Sequence, residues 1–436
     1  MGISTELESG PLASRVREQL RHGAVRDAAA LVDRALARSP DNIVAWYFRG
    51  VIANRCRDHD TAISALQKVI AIRPDAALAW LALGTALARS SRLEEAAHAY
   101  RYAAAQEPGW ADAHLNLGLV QKRMGVRLAA IRSLHGAWKL DPMLFNAAAQ
   151  CIATIAECVC TGEIDIDWPI ESDTGVRPSI LVVVCSIDET KRRNIKRLYE
   201  RLFTGFPVEI ASISDARSLA EAYNAAVMWS SADIVVLSHD DIDVLAPDFA
   251  QRLVGALAEL DVVGVIGSSR MDGPAIGWSG HPHLRGWITH RAPADTTWQV
   301  DILDPRDRAA DAAVLDGVFL AARRDVLSAV PFDAATFDGF HLYDLDWSVR
   351  VARAGFRVGV RGDLLIVHAS RGEYDENWTR YATRFCDKHA CGHISPAPSP
   401  FFGAKLQTPD QVRIFFAALR QLEHAPDRLR SPLPAG

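Results

Sequence analysis

Residues 74–107, PDAALAWLALGTALARSSRLEEAAHAYRYAAAQE, are one unit of a pattern that returns every 34 residues. Pro40, Pro74, Pro108 and Pro142 hold that spacing, in phase with Trp46, Trp80 and His114, with Gly50, Gly84 and Gly118, and with Ala62, Ala96 and Ala130. Small residues let paired helices approach closely, and large ones such as Trp46, Leu66 and Tyr100 fill the gaps. Each proline opens a unit where a missing N–H costs nothing. One helix pair cannot bury its apolar face alone, so the units must stack. A fainter unit upstream keeps Ala28 and Ala35 in phase, giving about four repeats. The segment from Met143 to Cys160, apolar through Ile152, Ile155 and Val159, is expected to cap the array.

An aromatic residue, a small residue four on, an alanine and a closing proline at this period resemble the tetratricopeptide repeat, a helix-turn-helix unit. That resemblance implies a scaffold for binding polypeptide. Residues 1–160 are assigned to such helical repeats with their capping helix.

The whole chain has 436 residues, 49% hydrophobic and 23% charged, enough for two or three globular domains. A formal charge of −5 provides no global basic field and argues against nucleic acid as the main partner. No apolar run reaches the length of a membrane span and MGISTELESG lacks a basic then apolar leader, so no transmembrane segment and a cytoplasmic location are expected. Seven scattered cysteines form no disulfide framework and are expected to be reduced. Cys386, His389, Cys391 and His393 crowd together without the spacing of a structural zinc site.

Composition changes after Thr161. Residues 161–177 are acidic, carry Pro169 with Pro178 just beyond, and lack helical periodicity, which suits a linker. From 178 to 395 apolar runs of strand length (Ser179–Ser186, Val208–Ile213, Ile234–Leu237, Val262–Ile266 and Asp363–His368) alternate with helical stretches. An α/β sheet covered on both faces follows, with ligands beyond the carboxyl ends of its strands. Lys191, Arg192, Arg193, Lys196, Arg197 and Arg201 are expected on a solvated helix face. Residues 396–436 hold a Pro-rich segment and a C-terminal helix from Pro409 to His424.

The strand ADIVVLS runs into His239-Asp240-Asp241-Ile242-Asp243, three carboxylates and an imidazole in five residues. Anions packed so closely need a cation. Hard oxygen ligands suit Mg²⁺ or Mn²⁺, and an ion held on a loop can neutralise a substrate diphosphate. Neither a Walker motif nor a strand-linked GxGxxG is present.

These residues, with ARSLAEAYNAA, VLDGVFLAARRDVL, FHLYDLDWSVRVARAG and IVHASRG in order, resemble a nucleotide-sugar-dependent glycosyltransferase of the GT-A fold and family 2 type, closest to its streptomycin-biosynthesis-like branch. The resemblance implies a nucleotide-sugar donor and a set of roles. Ser186, Asp188, Ser218, Asn224 and Asp240 would lie on the donor side, with Ser218 capping the helix that carries Asn224. Two metal frames fit, His239-x-Asp241 and Asp241-x-Asp243, so Asp241 would be the principal ligand, with His239 beside it and Asp243 the alternative, and His368 would complete the shell or contact the diphosphate. Asp316, Gly317 and His341 would approach sugar or acceptor. Asp344 is the candidate base, at the start of a helix whose dipole is expected to keep it ionised at neutral pH; Tyr343 stands where the family pattern has an acid. The bland alternative makes Asp344 a helix N-cap. The expected activity is inverting transfer of a sugar to a hydroxyl on a protein, for example flagellin or a surface protein, selected by the repeats. Transfer to a lipid-linked or polysaccharide intermediate, and a non-catalytic adaptor, are the alternatives.

Overall fold

The computed structural model describes residues 7–292, 294–304, 306, 308–370, 374–391, 402–426 and 429. His393, residues 396–401 of the Pro-rich stretch, and Arg371-Gly372 of the IVHASRG motif lie outside these. The chain divides into two compact units, Met1–Thr154 and Ile155–Gly436.

The first unit is a succession of antiparallel helices: α1 (Pro11–Arg21), α2 (Val25–Arg38), α3 (Ile43–Arg55), α4 (His59–Ile72), α5 (Ala77–Arg89), α6 (Leu93–Gln106), α7 (Ala111–Arg123), α8 (Arg127–Leu140) and the start of α9 (Phe145–Cys160). The 34-residue phase has a physical basis at three points. Trp46 and Trp80 donate their indole N–H to the carbonyls of Pro40 and Pro74 at 2.6 and 2.7 Å, and His114 Nε2 stands 3.1 Å from the Pro108 carbonyl. Tryptophan and histidine share the position because each offers a ring nitrogen there. Gly50, Gly84 and Gly118 lie against Leu66, Tyr100 and Leu134, where an added Cβ would come within 2.5, 2.7 and 2.6 Å of the partner side chain. Lastly, Arg55, Arg89 and Arg123 donate to the carbonyls of Leu20, Asn54 and Ala88 at 3.0, 2.9 and 3.0 Å. Each of these bonds reaches back 35 residues and ties a repeat to the one before it. The arginines carry the same period in the sequence.

The second unit contains β1 (Ile180–Cys185), α10 (Glu189–Leu202), β2 (Val208–Ile213), α11 (Leu219–Trp229), β3 (Ile234–Ser238), β4 (Ile242–Val244), α12 (Phe249–Glu259), β5 (Val262–Gly264), β6 (Ile266–Ser268), β7 (Leu284–His290), β8 (Trp298–Ile302), β9 (Arg308–Ala309), β10 (Val314–Leu315), β11 (Phe319–Arg323), α13 (Arg324–Ala329), α14 (Tyr343–Arg353), β12 (Val358–Arg361), β13 (Ile366–His368), α15 (Glu376–His389), β14 (Phe402–Leu406) and α16 (Pro409–His424). The main sheet runs β2-β1-β3-β11-β5-β12-β9. Its strands β1, β2 and β3 are parallel, while β11 is antiparallel to both β3 and β5. The run ILVVVC of β1 is buried almost throughout, as a central strand covered on both faces must be. A second sheet orders β10-β6-β7-β13-β4, with β8 joining β7 to β14.

Two expected strands are broken. The apolar run Val262–Ile266 serves both sheets: β5 pairs with β11, and after Val265 β6 pairs with β7. In Asp363–His368 only Ile366–His368 is extended, because residues 362–364 form a 3₁₀ turn and Leu365 is left-handed at φ 47°. The turn is held by buried Asp363, which accepts from Arg252 at 2.9 Å and from Arg361 at 2.7 Å.

Residues 161–177 contain no regular secondary structure, yet they pack on the second unit. Ile164 and Trp168 are buried, the Trp168 indole donates to Asp248 at 3.2 Å, and the Glu171 amide donates to the same carboxylate at 2.6 Å. The C-terminal helix α16 buries Phe416 in a stack on Trp287, centroids 4.7 Å apart. Among the described residues no helix is long and apolar enough to cross a membrane.

Candidate functional site

Parallel pairing of β1 with β3, Val184 opposite Ser238, brings the carboxyl ends of the two strands side by side. Ser186 leaves one and residues 239–241 leave the other. The Ser186 hydroxyl donates to Asp240 Oδ2 at 2.5 Å and accepts from the Asp188 amide at 3.2 Å. Asp188 in turn caps α10, accepting from the amides of Thr190 and Lys191 at 2.7 and 3.0 Å. The basic run expected to be solvated faces this loop at its first turn: Lys191 Nζ lies 3.2 Å from Asp240 Oδ1, and Arg192 donates to the Ser186 carbonyl at 3.0 Å.

Antiparallel pairing of β4 with β13 places His368 opposite Ile242, one residue beyond Asp241. His368 Nε2 is 3.2 Å from Asp241 Oδ1 and 3.3 Å from His239 Nδ1, and the Ser370 hydroxyl is 3.1 Å from the same nitrogen. His239, Asp241 and His368 are the one group of three metal-capable side chains that converges among the described residues. Burial, reinforced by His368, pushes the His239 pKa down, which favours a neutral imidazole with a free lone pair. Burial opposes ionisation of Asp241, but the hydrogen bond and charge of His368 outweigh it and hold the carboxyl below the ordinary range. A neutral imidazole and an ionised carboxylate are the states a cation requires. Asp243 is not part of the group. It sits on β4 with its side chain 56% exposed, accepts from the Val244 amide at 2.8 Å and faces Arg201 at 3.8 Å. Strand alternation would put residues 241 and 243 on one face, but β4 begins at Ile242, so Asp241 lies outside the strand and its side chain does not follow that of Asp243.

Asp316 is coupled by its charge both to this group and to a second one. Its charge is felt by His239 and by Asp344, and its carboxylate accepts from the Val318 amide at 2.9 Å. Asp344 is buried, and its Oδ2 accepts from the Gly317 amide at 2.6 Å. A Cβ on Gly317 would meet Tyr343 Oη at 2.6 Å and Asp344 Oδ2 at 2.7 Å, so only glycine allows this approach. Asp344 is not the helix cap. That place is taken by Leu342, left-handed at φ 60°, and Asp344 lies within the first turn of α14. Nor does the helix dipole decide its charge. Burial, then the Asp316 carboxylate, raise its pKa to about 7, although amide hydrogen bonds pull the other way. Asp346, two residues on, moves in the opposite direction: burial disfavours its charge, but His389, Lys388 and Arg350 at 2.9, 2.6 and 2.8 Å hold it low. His389 is thereby committed, and among the described residues it does not join Cys386 and Cys391 in a metal cluster.

The remaining expected residues stand further out. Ser218 caps α11 by accepting from the Glu221 amide at 3.0 Å. Asn224 pairs with the main chain of Phe332, donating at 2.9 Å and accepting at 2.9 Å, so its amide has a structural task. His341 is partly exposed, its ring 6.1 Å from that of Tyr381. Trp278 faces Trp378 at 6.3 Å, and exposed Tyr374, which feels the Asp316 charge, stands edge-on to Trp378 at 4.6 Å.

Comparison with known proteins fits both units. Residues 181–390 match the Glycosyltransferase like family, and residues 14–77 and 81–122 match the tetratricopeptide repeat. No curated protein matches the chain. Among solved structures, a crystal structure of MamA is 23% identical, covering 31% of this chain and 80% of its own, with TM-score 0.30. MamA 41-end from Desulfovibrio magneticus RS-1 is 20% identical, covering 35% and 84%, with TM-score 0.31. A thermophilic TPR protein in Thermus thermophilus is 21% identical, covering 34% and 84%, with TM-score 0.30. The chain thus joins a tetratricopeptide repeat region, within residues 14–122, to a glycosyltransferase-like domain, residues 181–390, and is an enzyme of the glycosyltransferase class.

Proposed function

We propose that this enzyme is a metal-dependent, inverting glycosyltransferase of the streptomycin-biosynthesis-like branch. It would act in the cytoplasm on a hydroxyl of a polypeptide acceptor, such as flagellin or another surface protein, selected by the repeats. The observation that carries the reading is a His239–Asp241–His368 ligand group and the buried Asp344 carboxyl, both within the field of Asp316, with burial and that charge pushing Asp344 up to about 7. A base working near neutral pH needs that value. Asp344 takes the proton of the acceptor hydroxyl as its oxygen bonds to the anomeric carbon; the opposite bond, from that carbon to the diphosphate oxygen, breaks and the diphosphate leaves with the electron pair. A divalent cation bound by His239, Asp241 and His368 would neutralise charge on the departing diphosphate. Two imidazoles and one carboxylate suit Mn²⁺ better than Mg²⁺, which prefers an all-oxygen shell. Ser186, Asp188 and Asp240 frame the donor, with Ser218 and Asn224 holding α11 beside it. Asp316, Gly317 and His341 face the sugar or acceptor.

The partly exposed Trp278 and Trp378 with Tyr374 favour a second reading, an acceptor that is itself a saccharide on a lipid-linked or polysaccharide intermediate, because pyranose faces stack on aromatic rings. Purified enzyme with Mn²⁺ and a panel of nucleotide sugars is expected to release nucleoside diphosphate slowly, and Asp241→Ala is expected to abolish the release. Absence of release in the wild type would leave the adaptor reading. Intact mass of candidate acceptor proteins, against mass of oligosaccharide acceptors, separates the two transferase readings by where the hexose-sized increment lands.

A further inference from the structure

We propose that Lys191 is the internal counter-cation of the 239–241 loop and the side chain that grips the donor diphosphate, exchanging one set of oxygens for the other as metal and donor bind. The proposal rests on the glycosyltransferase reading. Lys191 Nζ lies 3.2 Å from Asp240 Oδ1 and 4.0 Å from Asp241 Oδ2. It therefore touches a residue of the ligand group and the carboxylate beside it. Its position is built: Asp188 caps α10 through the amides of Thr190 and Lys191 itself, which fixes the direction of the first turn from the end of β1.

The other basic side chains of that helix with described partners point elsewhere. Arg192 is committed to the Ser186 carbonyl at 3.0 Å, Lys196 faces Glu200 at 3.9 Å and Arg201 faces Asp243 at 3.8 Å. Lys191 alone among them reaches the loop carboxylates.

Exposure and charge density give the exchange its direction. The Lys191 side chain is 46% exposed, so its ion pair is solvent-screened and weak, and a flexible four-carbon stem lets the ammonium move a few ångströms at little cost. A divalent cation on Asp241 would repel an ammonium 4.0 Å from that carboxylate, while a diphosphate brings a denser negative charge to the same place. The same ammonium that lowers metal affinity in the free enzyme thus becomes a phosphate contact in the donor complex.

Opposite signs in two binding measurements test this. Calorimetry of the full chain with Mn²⁺ alone, and then with uridine, guanosine or thymidine diphosphate at saturating Mn²⁺, is run on wild type, Lys191→Gln and Lys191→Arg. In Lys191→Gln, Mn²⁺ alone is expected to bind several-fold tighter and the diphosphate about tenfold weaker, with donor KM rising more than kcat falls. Lys191→Arg should restore most of the diphosphate affinity. Diphosphate affinity in Lys191→Gln within about twofold of wild type, or metal and diphosphate weakening together as loss of a merely structural contact would produce, overturns the proposal. Wild type that binds none of the three diphosphates in the presence of Mn²⁺ removes the transferase reading itself, and the role of Lys191 with it.

Discussion

In the repeat array each stabilising contact occurs several times, whereas in the transferase-like domain each functional contact occurs once. Arg55, Arg89 and Arg123 make the same bond 35 residues back in three successive repeats. By contrast His239 meets His368 across 129 residues, and Gly317 meets Asp344 across 27. Repetition spreads stability over many equivalent places, so a lesion in one repeat is local. A site assembled from unique long-range pairs concentrates function in a few atoms. Substitutions in the two regions should therefore fail differently, through stability in one and through turnover in the other.

The largest effect is expected at Asp344. Asp344→Asn keeps an oxygen that can accept from the Gly317 amide but cannot take a proton from the acceptor, so transfer should fall by about 10²–10⁴-fold. Stability should move the other way. The folded pKa is raised to about 7 from an ordinary 3.8, so the fold favours the protonated acid and loses stability as pH rises between those values. At pH 8 Asp344→Asn should melt higher than wild type, and near pH 3 the difference should vanish. A variant equally inactive but less stable at pH 8 would mean that the carboxylate supports the fold.

The same substitution made in each region sharpens the contrast. Gly317→Ala drives a methyl into Tyr343 Oη and the Asp344 carboxylate, and a displaced base should cost about 10²-fold in transfer. Gly84→Ala drives one into the Tyr100 ring, 2.7 Å from its Cδ1. Overpacking there should destabilise the array by about 1–3 kcal/mol while donor hydrolysis at the site persists. Chemical denaturation followed by helical circular dichroism, with nucleoside diphosphate release measured alongside, reads both outcomes.

This difference also explains what can be read from the sequence. The array is legible because a period of 34 is a one-dimensional signal, and the same spacing marks the arginines that tie one repeat to the next. The strands β1, β2 and β3 are legible as apolar runs, and the loop after β3 as a density of acids. The pairing of β4 with β13 is not, since nothing local announces that Leu365 turns left-handed and starts a new strand at Ile366. Lys191 is one of six equivalent charges until α10 acquires an orientation. The charge state of Asp344 is misread from sequence for the same reason. Helix position is visible there, but the burial and the Asp316 neighbour that dominate its pKa arise only in the fold.

Asp316 offers a smaller and more specific test of that point. Transfer requires ionised Asp344, so the acid limb of the pH profile should lie near 7. After burial, the Asp316 charge is the next cause that raises this pKa. Asp316→Asn removes the negative neighbour, which makes the Asp344 anion easier to form, and the limb should shift to lower pH by about one unit. A limb that stays in place, whatever happens to the rate, would mean that burial alone sets the pKa.

The smallest effect belongs to the array, where one repeat departs from its neighbours. His114 occupies the place of Trp46 and Trp80, and its Nε2 lies 3.1 Å from the Pro108 carbonyl where the indoles stand at 2.6 and 2.7 Å. An imidazole must adopt the tautomer that puts its proton on Nε2 to make this bond, whereas an indole N–H is always a donor. The indole also covers more apolar surface, as Trp80 does against Tyr102 at 4.5 Å. His114→Trp should therefore stabilise the array by no more than about 1 kcal/mol and leave turnover unchanged, because it restores a bond already present in a better form. A loss of stability instead would show that the repeat opened by Pro108 has adapted its packing to the smaller ring, and that the equivalence of the repeats ends at their backbone.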